Sequence, residues 1–168
     1  IDFDGDWDAT NNWDNQALFG SALPPAAYGA AILTQAYAYL TYTLYYPRDW
    51  SNLICLPFVC HDNDLETVQL VVERDGQDGR LVEVRAKAHL DISDTATATI
   101  ARTSDGRPLL QVETQGHGIS VCRRDDAGCT ARGGRILYAL GETPSNPPVL
   151  ASRQTLRYAL LSLRDTLW

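Results

Sequence analysis

The chain is expected to fold as a single, mainly β domain of antiparallel strands with a C-terminal α-helix. Aromatic and β-branched runs between residues 37 and 140 are broken by Asp/Gly/Pro clusters, the pattern of short strands joined by turns. The 168 residues suffice for one sizeable core, and nothing in the composition demands a second. After Pro147-Pro148, leucines recur at helical spacing. The domain therefore covers 1–168, with 1–22 an acidic N-terminal segment, 143–151 a linker and 152–168 an amphipathic helix.

At the N-terminus, Asp2, Asp4, Asp6 and Asp8 alternate and invite an EF-hand reading. It fails, because Gly5 misses the turn position counted from Asp2, Ala9 occupies it counted from Asp4, and no bidentate Glu closes either version. An acidic, Asn-rich segment anchored by Trp7 and Trp13 is the simpler reading. Ala26 to Ala36 would pass for a helix on alanine content. From Tyr37 to Tyr45, however, aromatic and β-branched residues dominate up to Pro47, so this region is expected to form a long strand or two. Its tyrosines suit half-buried sheet packing better than a sugar-stacking platform.

A strand from Thr67 to Arg74, the turn Asp75-Gly76-Gln77-Asp78-Gly79 and a strand from Arg80 to His89 make a hairpin. Further strands are expected near 95–102, 109–114 and 135–140. The last segment, with Ser152 as candidate N-cap, places Leu156, Ala159, Leu160, Leu163 and Leu167 on one helical stripe. That stripe runs to Trp168, which suggests a further chain or subunit beyond it.

A hydrophobic content of 45% excludes disorder, and a net charge of −7 argues against nucleic acid. No apolar run reaches the roughly 20 residues of a transmembrane helix. The chain begins at Ile1 and contains no Met, as expected of a processed precursor. Cys55, Cys60, Cys122 and Cys129 allow three pairings; the local ones, Cys55–Cys60 and Cys122–Cys129, are favoured because each brackets a short segment. A zinc site is the alternative, though its spacing fits poorly. Disulfides imply a secreted, periplasmic or cell-surface location.

Chemistry concentrates between Tyr45 and Glu66. Asp64 and Glu66 stand two apart at a strand start and so share a face; His61 precedes them, and Asp49 ends the preceding strand. Asp49, His61, Asp64 and Glu66 thus form a candidate site for a divalent cation, Ca²⁺ or Mg²⁺ with Mn²⁺ a third option. The hairpin returns His89 to the same end. His117, between Gly116 and Gly118, lies where a ligand can approach closely; a plain loop histidine is its alternative.

The segment Tyr46-Pro47-Arg48-Asp49 followed by His61-x-x-Asp64-x-Glu66 resembles the necrosis- and ethylene-inducing peptide-like proteins (NLPs), with their Y-F-P-K-D and G-H-R-H-D-W-E motifs, and the H-x-x-D-W-E segment of Vps62-related domains. Ala88-His89 is similar to the former family's S-A-H, and Gly116-His117-Gly118 to the latter's S-H-A. Cys60, Asn63 and Leu65 depart from the heptapeptide. The resemblance implies a β-sandwich, a cation on Asp49, His61, Asp64 and Glu66 in a cleft at its edge, and toxin-like behaviour. The leading functional expectation is a secreted, cation-dependent module that binds a glycan or glycolipid head group. A metal-dependent hydrolase of a phosphoester or glycan, with His89 or His117 as general acid or base, is the rival. A purely structural cation is the third reading.

Overall fold

The computed structural model describes residues 8, 10, 11, 14, 15, 26–49, 60–76, 79–89, 91–113, 116–125, 135–140 and 155–167. Its elements are β1 (Ala26–Leu33), β2 (Tyr37–Asp49), β3 (His61–Glu73), β4 (Arg80–Ala88), β5 (Asp91–Ala96), a 3-10 turn (Thr97–Thr99), β6 (Leu110–Glu113), β7 (Ile119–Val121), β8 (Arg135–Leu140), β9 (Thr155–Ser162) and α1 (Leu163–Leu167). The strands follow the order β5-β4-β3-β2-β1-β9-β8-β6-β7. Six of them form one layer and β8, β6 and β7 a smaller second one. β9 joins the two: Thr155 to Tyr158 pair with β8, and Ala159 to Ser162 with β1, both in parallel. Every other strand pair is antiparallel. The short β7 packs across β4 and β3, which folds the second layer onto the first.

The alanine-rich stretch becomes β1 because its neighbours complete a ladder on both sides, and tertiary pairing overrides a weak propensity. Thr34 closes the β1–β2 turn: its N–H donates to Tyr37 O (2.8 Å), and its hydroxyl oxygen accepts from Tyr37 N (3.0 Å). β2 and β3 then pair from Tyr37↔Glu73 to Asp49↔His61. Gly76 and Gly79 take positive φ in the β3–β4 turn, where only glycine is unstrained.

Alternation along β3 sends Asp64, Glu66, Val68 and Leu70 to one face, opposite Tyr46, Leu44, Tyr42 and Leu40 of β2. The core forms on that face from Ala27, Leu44, Val68, Val84, Ala86, Ile100, Val112 and Ile119. Each fully buried valine, leucine or isoleucine there contributes about 1.5–3 kcal/mol. One inward row is therefore apolar at Val68 and Leu70 and acidic at Asp64 and Glu66, so the acids are buried by the same packing that builds the core.

The C-terminal helix is shorter than expected. Among the described residues of the expected helix 152–168, residues 155–162 are strand and Leu163–Leu167 is helical. Leu156 and Leu160 are four apart, a spacing that fits a strand face as well as a helix face, and pairing with β1 and β8 selects the strand. The strand expected over 95–102 ends at Ala96, followed by the 3-10 turn and isolated bridges at Ile100 and Arg102. Most of the 1–22 segment and the whole 143–151 linker lie outside the described residues. Of the acidic segment, Asp8 Oδ1 accepts from Thr10 N (3.0 Å), a local Asx turn.

Candidate metal centre

An unbroken pleat would send Asp49 and His61 to the face opposite Asp64 and Glu66, because positions 49 and 61 differ in parity from 46 and 64. The break lies at Asn63, which has φ 62°, while Pro47, with no N–H to give, sits on the facing strand. Asn63 accepts a hydrogen bond from the Tyr45 hydroxyl (2.5 Å). An αL asparagine is tolerated because its short polar side chain bonds locally. Beyond this kink Asp49 is brought to Asp64, and both are only 6% exposed.

The third member is His117. Its Nδ1 lies 3.0 Å from Asp64 Oδ2, and its ring stacks on Tyr46 at 3.8 Å between centroids with 6° between planes. The loop that delivers it is held in left-handed backbone, with φ 69° at Gly116 and 52° at His117. A side chain at Gly116 would displace the His89 ring, since a Cβ there would come within 2.4 Å of His89 Cε1. Gly118 likewise passes close over β4, its notional Cβ 3.0 Å from that of Ala88.

Asp49, Asp64 and His117 each offer a donor atom, all within 4.8 Å of one another. That separation is what a single ion with ligands at about 2.0–2.6 Å can span. Two carboxylate oxygens with an imidazole nitrogen suit a hard or borderline divalent cation.

The four donors expected from sequence are thus rearranged. Asp49 and Asp64 come together, and His117, expected on a loop open to a ligand rather than among the donors, joins them. His61 stands on the exposed side, its Nε2 3.8 Å from Asp49 Oδ2, and is not in the group. His61 faces Asp49 directly across the ladder, but its ring is half exposed and lies at the solvent side of that carboxylate.

Glu66 lies behind the group, 1% exposed. Its Oε1 accepts from His89 N at 3.3 Å, while Oε2, like Asp49 Oδ1, is buried with no hydrogen-bond partner among the described residues. Burial pushes the Glu66 carboxyl above the usual carboxylate range; Lys87 opposes that shift, and the negative charge of Asp64 adds to it. Among the described residues no lysine or arginine pairs with Asp49, Asp64 or Glu66. A divalent cation would offset the burial of Asp49 and Asp64, which the neighbouring imidazoles contact but no lysine or arginine among the described residues pairs.

His89 stands at the end of β4, beside the start of the Gly116–Gly118 loop. It takes φ 55°, is half exposed, and holds Nε2 3.6 Å from Glu113 Oε2. Neither Tyr46 nor Glu113 was singled out in the sequence. Tyr46 sits on the inward row two residues beyond Leu44, and Glu113 ends a strand just before the Gly116-His117-Gly118 loop, so each carried a positional signal. Neither Cys60, next to His61, nor Cys122 is a free thiol. The pairings with Cys55 and Cys129 lie outside the described residues.

No helix among the described residues is long and apolar enough to cross a membrane. No protein-family model matches the sequence, and no curated protein matches it. Solved structures do. "Toxin fold for microbial attack and plant defense" is similar at 17% identity and TM-score 0.42, covering 51% of this chain and 38% of that one. A crystal structure of an NLPPya mutant is similar at 18% identity and TM-score 0.44, covering 57% and 44%. The crystal structure of the non-toxic HaNLP3 protein is similar at 18% identity and TM-score 0.43, covering 61% and 47%. The chain thus spans less than half the length of each of these chains. Two of the three bear the name of the family that the Tyr46–Glu66 segment resembles in sequence, and no Vps62-related protein is among them.

Proposed function

We propose that the chain is a divalent-cation-dependent binding module of the toxin-like β-sandwich kind, whose cation is held by Asp49, Asp64 and His117 and faces a glycan or glycolipid head group. The observation that carries this reading is the buried acid cluster, in which Asp49 Oδ1 and Glu66 Oε2 have no hydrogen-bond partner among the described residues beside the Asp49/Asp64/His117 group. Leaving a buried carboxylate oxygen unsatisfied costs about 1–3 kcal/mol or more, a cost that a bound cation would relieve. Glu66 contributes charge from behind the ion, and Tyr46 fixes the His117 ring. Such a cation orients ligand hydroxyls. Ca²⁺, Mg²⁺ and Mn²⁺ all suit the donor set, and half-exposed His61 and His89 line the approach. An oxidising location, secreted, periplasmic or cell-surface, is supported by the absence of free thiols at Cys60 and Cys122.

The test is binding to a glycan array and to vesicles with and without glycolipid, in the presence of each cation or of chelator. Chelator-sensitive retention supports the reading. Cation uptake with no retention on any surface points to a structural ion instead. One feature favours a second reading: His89 beside Glu113 has the makings of a general base at the rim, whereas His117 is occupied by Asp64 and Tyr46. Cation-dependent turnover of nitrophenyl phosphoesters or glycosides that is lost in His89→Ala would establish that hydrolase.

A further inference from the structure

A second site lies in the apolar half of the interlayer space. Between the two layers is a cavity of about 120 Å³ walled by Tyr42, Leu70, Val112 and Ile119 among others, with Arg107 and Pro108 at its mouth. Its β3 residues, Val68 and Leu70, continue the inward row beyond Asp64 and Glu66, so it is separate from the acid cluster. Protein interiors are close-packed, and a void of this size is on the scale of one benzene ring. Arg107 is the one charged residue in its wall among the described residues. Water inside would find too few polar partners to be held there.

The mouth is built rather than incidental. Thr103 N donates to Arg107 O (2.9 Å), Arg107 N donates to Thr103 Oγ1 (3.0 Å), and Arg102 Nη1 caps Gly106 O (2.7 Å). Gly106 turns the loop at φ 87°. Asp105 Oδ2 holds Arg107 Nε at 3.0 Å, which orients the guanidinium. An apolar chamber with one guanidinium at its entrance fits a molecule with an apolar body and a single anionic end. We propose that this cavity binds a small aromatic or short aliphatic carboxylate, its hydrocarbon between the layers and its carboxylate on Arg107.

The probes are benzoate and its neutral analogue benzyl alcohol, titrated by calorimetry and saturation-transfer NMR into the wild type, Arg107→Gln and Ala27→Leu. Ala27 is a buried wall residue, 2% exposed, so leucine there fills the void. The wild type should bind both probes, benzoate more tightly. Arg107→Gln should weaken benzoate roughly tenfold or more while sparing benzyl alcohol, the size expected for a lost charged hydrogen bond. Ala27→Leu should melt no lower than the wild type and bind neither probe, and both variants should take up cation as the wild type does. The proposal is overturned if neither probe binds the wild type or if Arg107→Gln holds benzoate undiminished. It is equally overturned if Ala27→Leu melts below the wild type, which would mean there is no void to fill, or retains either probe.

Discussion

Gly116→Ala should destabilise the protein by more than its backbone conformation alone accounts for. Gly106 supplies the reference, since it also has positive φ (87°) but meets nothing within 4 Å of an added Cβ. An L-residue in left-handed backbone costs about 1–2 kcal/mol, and replacing glycine recovers about 0.4–1 kcal/mol by restricting the unfolded chain. Gly106→Ala should therefore cost about 1 kcal/mol, a fall of roughly 2–4 °C in melting temperature for a chain of this length. At Gly116 (φ 69°) the new Cβ would sit 2.4 Å from His89 Cε1 and 3.0 Å from Nε2, so the imidazole must leave. Its departure breaks the contact with Glu113, a half-exposed pair worth up to about 1 kcal/mol, and shifts the loop that carries His117 under Asp64. Gly116→Ala should cost about 2 kcal/mol, and the His89 ring resonances should move in NMR spectra. Equal melting shifts for the two variants, or an unmoved His89, would refute the packing of this loop on β4.

Glu66→Gln tests the buried acid. Burial raises the folded-state carboxyl, so its proton is held more tightly in the folded protein, and the associated stability, complete below the unfolded carboxyl range, is lost as pH rises through the raised value. In chelator, wild-type melting temperature should fall with pH across that window relative to Glu66→Gln; parallel curves would contradict it. Tyr46→Leu should lose about 1 kcal/mol and weaken cation uptake by freeing the His117 ring, while Tyr46→Phe keeps the stack; melting and calorimetry decide. Mass spectrometry after non-reducing digestion should recover Cys55–Cys60 and Cys122–Cys129, and a Cys55–Cys129 link would reject that pairing.

The strands around the site were legible because period-two patterning and the Asp75–Gly79 turn fix the β3–β4 hairpin, and because Asp64 and Glu66, two apart, must share a face. Asp49 and His89 followed from strand neighbourhood. The rest depends on features that alternation cannot express. The left-handed Asn63 breaks parity where Asp49 meets Asp64, and the half-exposed His61 ring stays outside the group that they form with His117. His117 reaches the cluster through the docking of β7 on β4, a long-range contact of a loop whose local sequence specifies only that it turns tightly. β9 reads as a helix because leucines spaced by four satisfy both periods, and only its pairing partners distinguish them.

The central claim is that Asp49, Asp64 and His117 hold one divalent cation. The most direct measurement is calorimetric titration of Ca²⁺, Mg²⁺ and Mn²⁺ into chelator-stripped wild type, Asp64→Asn, His117→Ala and His61→Ala. One ion per chain should bind the wild type. Asp64→Asn and His117→Ala should each lose about 100-fold or more in affinity, and His61→Ala far less. A wild type that takes up no cation, or a His117→Ala protein that titrates like the wild type while His61→Ala does not, would contradict the account.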